Sequence, residues 1–287
     1  MRETEIVQRI RDLAGSAHRN HSILKGIGDD CAILRPGPNE DLVFTTDFIL
    51  QDRHFTLDTH KPSQIGHKAL ARGLSDLAAM GSDPVFCLVS LAVPQTLPPR
   101  WIDAFYKGLL TLANKHKVSL AGGDLSQFEK IIVDVMCCGR VSRGKAILRS
   151  GAKPGDRIFV TGNLGAAARS RWMRKIEPRI MEGRALRGRV SAGMDLSDGL
   201  SLDLHRLCLE SGVSAVLESG AIPIAHGATL EQALHGGEDY ELLFTAAPGT
   251  KLPDLSISQI GIVTKGKPGE IMLDKIPLPP RGFDHFA

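Results

Sequence analysis

Two stretches set the fold class: Leu42-Val-Phe-Thr-Thr-Asp-Phe-Ile-Leu50 and, after a polar link, Pro62-Ser-Gln-Ile-Gly-His-Lys-Ala-Leu-Ala-Arg-Gly-Leu-Ser-Asp-Leu-Ala-Ala-Met-Gly81. The first is rich in β-branched and aromatic residues and reads as a strand with a polar break at Thr45, Thr46 and Asp47. The second places Ile65, Ala69, Leu70, Leu74, Leu77 and Ala78 on one helical face. Pro62-Ser63 opens that helix and Gly81 stops it.

Working outward, the alternation recurs. A short amphipathic helix is expected around Ile6, Ile10 and Leu13, then a turn through Gly26-Ile-Gly-Asp-Asp-Cys-Ala-Ile-Leu34 into an apolar strand. Phe86–Val93 reads as a buried strand and Pro99–His116 as a second amphipathic helix. Val118–Leu120 is a short strand delivering Gly122-Gly-Asp124, and Ile131–Cys138 is another strand. Between Arg140 and Asp156 the composition turns to Ser, Arg, Gly, Lys and Pro, which places a domain boundary there and divides the chain into 1–140 and 141–287. The second half restarts with strand Arg157–Thr161 and a Gly162-Asn-Leu-Gly165 turn into a helix of poor apolar pattern. Met194-Asp-Leu-Ser-Asp-Gly-Leu200 opens a further helix, and Gly236-Gly-Glu-Asp-Tyr-Glu-Leu-Leu-Phe244 runs from turn to strand. Strands alternating with helices in both halves predict an α/β (α+β sandwich) architecture.

Composition removes several function classes. The net charge is only +3 and no run of five or six basic residues occurs, so a nucleic-acid partner is not expected. The longest apolar runs are strand-length, far below the roughly 20 residues that span a bilayer, so no membrane segment is expected. Met1-Arg-Glu-Thr-Glu carries acidic residues where a secretory signal is basic and then apolar. Five cysteines, odd in number and without a C-x-x-C pair, indicate neither a disulfide framework nor a zinc site, and a reducing cytoplasm is the expected setting.

The chemistry lies in the aspartates. Asp29, Asp30, Asp47, Asp76, Asp124, Asp195 and Asp198 sit beside small residues at turns or element ends. Taken singly, each reads as a turn or capping residue. As a set they are harder to dismiss, because Asp47 interrupts a strand and Asp76 a helix, where capping gives no reason for Asp. If such carboxylates converge on one cleft, cations must neutralise them or some will protonate. Magnesium suits the case, since it takes a few carboxylates together with phosphate oxygens and water. Phosphoryl transfer is the chemistry this implies. No G-x-x-x-x-G-K-[ST] loop and no protein-kinase glycine loop is present. Gly26-x-Gly28 and Gly122-Gly123 offer backbone N–H groups to phosphate, although such short motifs are more often plain turns.

These segments carry a resemblance. Gly-Ile-Gly-Asp-Asp-Cys-Ala at 26–32, Thr-Thr-Asp at 45–47, His54-Phe55, Lys68-Ala-Leu-Ala, Leu74-Ser-Asp-Leu-Ala-Ala-Met-Gly81 and Gly122-Gly-Asp-Leu-Ser126 all contribute. Leu148-Arg-Ser-Gly-Ala152, Met194–Leu200, Gly236–Leu242 and Gly282-Phe-Asp-His-Phe286 continue it to the C-terminus. In order and spacing the chain resembles thiamine-monophosphate kinase, within the larger aminoimidazole-ribotide-synthetase-like (PurM-like) group. The resemblance implies a two-domain PurM-like fold whose N-terminal domain binds ATP and magnesium and pairs into a homodimer-interface β-barrel. The implied reaction is ATP-dependent phosphorylation of thiamine monophosphate to thiamine diphosphate by direct in-line transfer. The implied magnesium ligands are Asp30, Thr45, Thr46, Asp47, Asp76, Asp124, Asp195 and Asp198, of which Asp30, Asp47, Asp76, Asp124 and Asp198 are also the implied catalytic set. ATP is expected at Tyr106, Gly123, Asp124, Arg149 and Ser197, and thiamine monophosphate at His54, Glu238 and Phe283. Lys68 is read as an exposed helix position.

The chain departs from the family pattern in places. Residues 166–189 are shorter and more basic than usual, His67 and Arg72-Gly73 are atypical, and Phe283 stands where Tyr or Trp is common. No departure removes a candidate metal-binding carboxylate. Two other readings stay open: a non-catalytic or different PurM-like protein that binds magnesium and ATP, and an ordinary α/β protein whose aspartates are caps. Against the related selenophosphate synthetase and hydrogenase maturation factor, the first Cys is Cys31 and the chain ends Phe286-Ala287, without the reactive cysteines those enzymes place near the N-terminus or at the extreme C-terminus.

Overall fold

The computed structural model describes residues 3–15, 23–25 and 33–283. They form two compact units: one comprises the residues through Leu77 with Ser82–Gly144, the other Ala78–Gly81 with the chain from Lys145 onward.

The first unit begins with α1 (Glu3–Gly15) and a small antiparallel pair, β1 (Ile23–Lys25) and β2 (Ile33–Leu34). Then come β3 (Glu40–Leu50), α2 (Pro62–Ala79), β4 (Asp83–Val93), α3 (Pro99–His116), β5 (Ser119–Gln127) and β6 (Ile132–Ser142). Strand order in the main sheet is β3-β6-β4-β5, antiparallel except for the β4/β5 pair. That parallel pair needs a crossover, and α3 provides it. Pro99 starts α3 at a position where a missing N–H costs nothing, and Lys117, left-handed at φ 59°, ends it.

The apolar stripe of α2 is buried as its periodicity requires: Ile65, Leu70, Leu74 and Leu77 have no exposed surface. Ile49, Leu91, Phe105 and Leu109 are likewise nearly or wholly buried. Where α2 meets α3 the backbones touch. A Cβ on Gly66 would lie 2.0 Å from the Phe105 carbonyl oxygen, and one on Gly108 would lie 1.9 Å from that of Ser63.

The expected short strand at 118–120 is longer in the structure. β5 runs to Gln127 because β4 pairs with it from Phe86↔Ser119 to Val93↔Gln127, and this pairing carries Gly122-Gly123 into the sheet against their poor strand propensity. Gly123 is obligatory there. Its φ is 151° and a Cβ would lie 1.9 Å from the Val89 carbonyl oxygen.

The second unit is a seven-stranded sheet. Its strands are β7 (Arg157–Thr161), β8 (Ala192–Asp195), β9 (Ser214–Leu217), β10 (Leu242–Ala246), β11 (Ile257–Thr264), β12 (Ile271–Leu273) and β13 (Ile276–Pro277). The order is β13-β12-β9-β11-β7-β10-β8, with only β9/β12 parallel. Helices α4 (Ala166–Arg169), α5 (Ile180–Leu186), α6 (Leu200–Ser211) and α7 (Leu230–His235) complete it. Ile158, Val160, Leu204, Leu207 and Leu243 lie in its core. The helix expected after Gly165 is one turn long, which follows from its lack of an apolar stripe to bury. Among the described residues no helix is long and apolar enough to cross a membrane.

Gly108→Ala is expected to force the helices apart and to destabilise the protein by about 1–3 kcal/mol or more. Urea unfolding reads this as a lower midpoint at unchanged slope.

Candidate functional site

Asp30, its neighbour Asp29 and the Gly26-x-Gly28 turn lie outside the described residues. Apart from His54 and Tyr106, the other candidate site residues fall into three groups, two on the first unit and one on the second.

The first group lies in the seam between β3 and α2. Side chains alternate faces along a strand, so Thr45, Asp47 and Ile49 turn one way and Phe44, Thr46 and Phe48 the other. Thr45 donates its hydroxyl to Asp76 Oδ2, which puts that face of β3 against α2. Asp47 Oδ1 accepts from Arg72 Nη2 at 3.2 Å, and Arg72 stands one helical turn before Asp76, on the same helix face. Asp47 and Arg72 are 22% and 12% exposed. Burial pushes the Asp47 carboxyl up to about 6; Arg72 pulls it down, while Asp76 and Asp134 push it further up. A carboxylate so placed lacks solvent and has acidic neighbours, the condition that favours a bound cation.

The second group lies on the opposite sheet face. Thr46 donates its hydroxyl to Asp134 Oδ1, and register aligns Asp134 with Ser90 on β4 and Ser90 with Asp124 on β5. Asp124 and Ser90 are exposed. The Thr45-Thr46-Asp47 run therefore serves two faces, because adjacent strand residues point apart. Tyr106 is buried, packed edge-on against Phe105 at 5.2 Å between ring centroids, and burial raises its hydroxyl well above the usual phenol range.

His54 follows β3 in a turn closed by its N–H to the Leu50 carbonyl. Its Nδ1 accepts from the Leu50 N–H at 3.0 Å, so a neutral ring carries its proton on Nε2. Lys68 is buried, not exposed: Nζ donates to the His54 carbonyl at 2.9 Å. The expectation failed because a long basic side chain on a helix is solvated by default, and only the tertiary position of the 51–55 turn supplies an acceptor.

The third group is in the second unit, where two turns distant in sequence are stitched by backbone bonds. Leu196 N–H donates to the Glu241 carbonyl at 2.8 Å, Tyr240 N–H to Leu196 at 2.9 Å, and Glu238 N–H to Ser197 at 2.7 Å. This brings Asp195, Ser197 and Asp198 beside Glu238. Phe283 joins them, its N–H donating to the Asp198 carbonyl at 3.1 Å. Glu238 and Tyr240 adopt left-handed backbone, with φ of 56° and 51°, strain that non-glycine residues accept when surrounding structure dictates it. Asp195 is buried at the end of β8, Arg149 is exposed, and Phe283 is 40% exposed.

Four charged residues of this unit, Arg206, Asp203, Glu241 and Arg179, escaped the sequence reading. Arg206 Nη1 donates to Asp198 Oδ2 and reaches Asp203 Oδ1 at 3.1 Å. Asp203, fully buried, accepts the N–H groups of Asp198 and Gly199 at 3.0 Å each, holding the turn before α6. Burial pushes its carboxyl up to about 7, with Asp198 adding to the shift. Glu241, 1% exposed, accepts from Arg179 Nε at 2.6 Å and from Thr161 Oγ1 at 2.7 Å. This pair borders a polar cavity of about 350 Å³ also lined by Asn163, Arg174, His226 and Ser256. The signal available in sequence was Glu241 following the Gly-Gly-Glu-Asp turn into an apolar strand, where an unpartnered carboxylate is not tolerated.

Comparison with known proteins sharpens this picture. Residues 28–141 match the family model described as AIR synthase related protein, N-terminal domain. The thiamine-monophosphate kinase of Salmonella typhimurium (strain LT2) is 36% identical, the alignment covering 91% of this chain and 92% of that one. The crystal structure of thiamine-monophosphate kinase from Stenotrophomonas maltophilia K279a has a TM-score of 0.84 at 33% identity, covering 97% of this chain and 98% of that one. A structure of AaThiL complexed with AMPPCP and TMP has a TM-score of 0.81 at 30% identity and covers 100% of this chain and 99% of that one. Fold and sequence thus define a protein of the AIR-synthase-related, PurM-like class. Within that class the chain belongs to the thiamine-monophosphate kinase family.

Arg179→Met, which leaves the buried Glu241 carboxylate with only the Thr161 hydroxyl and Arg174 at 4.0 Å, is expected to cost up to about 3–5 kcal/mol in chemical denaturation, and Arg179→Met with Glu241→Leu to recover most of it. Asp203 binds its proton more tightly folded than unfolded, where its pKa is about 3.9. Its contribution to stability therefore falls as pH rises from about 4 through 7, by up to about 1.4 kcal/mol per pH unit. Thermal melts across that range should show Asp203→Asn with a flatter profile than wild type.

Proposed function

We propose that the three groups carry the reaction of the family: ATP-dependent phosphorylation of thiamine monophosphate to thiamine diphosphate, by in-line transfer assisted by several magnesium ions. The observation that carries this is the strand–helix seam itself: Asp47, 22% exposed and bonded to Arg72, shares a strand face with Thr45, whose hydroxyl donates to Asp76 of α2. Among the described residues no three His, Cys, Asp or Glu side chains form a ready-made metal cage. Magnesium takes oxygen ligands from side chains and completes its shell with phosphate oxygens and water. The donors present are hard oxygens, as it requires.

Asp30, Thr45, Thr46, Asp47, Asp76 and Asp124 of the first unit and Asp195 and Asp198 of the second are the proposed magnesium ligands, and magnesium when bound would offset charge on the transferring phosphoryl group. Thr45 and Asp47 face α2 while Thr46 and Asp124 face away, so one cation does not serve both groups. Gly123 offers ATP a backbone free of side chain, and Arg149 an exposed fork of donors suited to phosphate. Ser197 and Tyr106 complete the proposed ATP contacts. His54, Glu238 and Phe283 are the proposed acceptor contacts, with the Phe283 ring against a cationic or aromatic ring of thiamine. In this reading 1–140 form the ATP- and magnesium-binding domain and 141–287 the second domain. A cytoplasmic homodimer fits as well. Phe44 and Phe48 are 58% and 57% exposed on the outer sheet face, an apolar pair suited to an interface β-barrel with a second copy.

Asp47→Asn and Asp124→Asn are each expected to cut turnover at least a hundredfold while circular dichroism stays native; coupled ADP-release assays with thiamine monophosphate check this, and activity within tenfold of wild type for both overturns the assignment. Without thiamine monophosphate, ADP release should fall to background; acceptor-independent release would favour a different PurM-like enzyme. Phe283→Ala is expected to raise the acceptor KM more than it lowers kcat, because it acts in binding and not in charge development.

A further inference from the structure

The seam between β3 and α2 contains a cation of its own. Arg72 is 12% exposed, its Nη2 lies 3.2 Å from Asp47 Oδ1, and it shares a helix face with Asp76. The helix sits tight against the sheet at this point, since a Cβ on Gly73 would lie 2.8 Å from Cys137 Sγ.

Consider what this guanidinium does in the two states of the cluster. Without a metal, it offsets the mutual repulsion of Asp47 and Asp76 in a partly dry seam, which stabilises the fold. With a divalent ion on the same carboxylates, a permanent positive charge stands at close range to another cation, and its favourable contribution shrinks or reverses. A side chain that stabilises the metal-free state more than the metal-bound state must weaken metal binding by the same factor.

We propose that Arg72 is a resident counter-cation of the Asp47–Asp76 cluster, which holds the seam together without magnesium and raises the magnesium concentration at which the site fills. The inference rests on the reading of Asp47 as a metal ligand. It makes Arg72 a residue that tunes the metal requirement of the enzyme, not one that touches the transferring phosphoryl group. The opposite role is also chemically defined: an outer partner that orients Asp47 for the metal, whose loss weakens binding, typically by 10–100-fold. The two differ in sign.

The test is a magnesium titration of the full-length chain, read by thermal shift and by calorimetry, with and without a non-hydrolysable ATP analogue. Arg72→Met removes charge and hydrogen bond together; Arg72→Gln removes the charge and keeps donors, and serves if the first variant folds poorly; Arg72→Lys keeps the charge. For Met and Gln the metal-free melting temperature should drop and the half-saturating magnesium concentration should fall about tenfold, within the usual range of coupling between two sites. Lys should stay close to wild type. An unchanged or raised half-saturation in Arg72→Gln overturns the proposal. Asp47→Asn separates the two levels of failure: if it leaves half-saturation unchanged, Asp47 is not a ligand and the site reading fails; if it weakens binding while the Arg72 variants do nothing, only the role of Arg72 fails.

Discussion

A carboxylate confined between a strand and a helix is the constraint on which the chemistry proposed for the first unit depends. Asp47 is fixed in β3 by a register that runs unbroken from Glu40↔Ser142 to Leu50↔Ile132, so it cannot move out to water without breaking the sheet. Facing it, α2 is clamped by a fully buried apolar stripe. The acidic pair Asp47 and Asp76 is thus held together by packing energy from elsewhere, and their repulsion must be met by positive charge. Arg72 meets part of it from within the protein. In the proposed reaction a magnesium ion would meet the remainder, with burial strengthening each electrostatic contact the seam makes.

The second unit solves a different problem, that of holding irregular turns still. Its candidate residues lie on turns, not on strands, and rigidity comes from backbone bonds between segments some forty residues apart, with Asp203 and Arg206 fastening the turn that bears Asp198. The left-handed backbone at Glu238 and Tyr240 is maintained by the same stitching. Beneath them Glu241 and Arg179 form a buried fork that fixes the start of β10. Each unit places its polar groups where strong surrounding order is available.

Much of this was legible in sequence, for reasons that also explain what was not. The bounds of α3 and β7 coincide with the periodic segments read from sequence, because both elements have regular burial and clear ends. Asp47 and Asp76 stood out because nothing local accounts for an aspartate inside a strand or a helix. The separation of Thr46 from Asp47 follows from strand alternation alone, but a motif read as a unit conceals it. Lys68, Arg72 and Arg179 were beyond reach: a basic residue on a helix or in a loop looks solvated until a partner 14, 25 or 62 residues away is known to face it. The length of β5 was hidden by its glycines, whose place in the sheet is decided by the neighbouring strand.

The most direct test of the account is the position of the metal itself. Crystals grown with a non-hydrolysable ATP analogue and manganese in place of magnesium would reveal each cation by anomalous scattering. The account predicts a manganese peak bonded to carboxylate oxygens of Asp47 and Asp76 and to phosphate oxygens of the nucleotide. Nucleotide-bound manganese seated elsewhere, with Asp47 touching only Arg72, would contradict it.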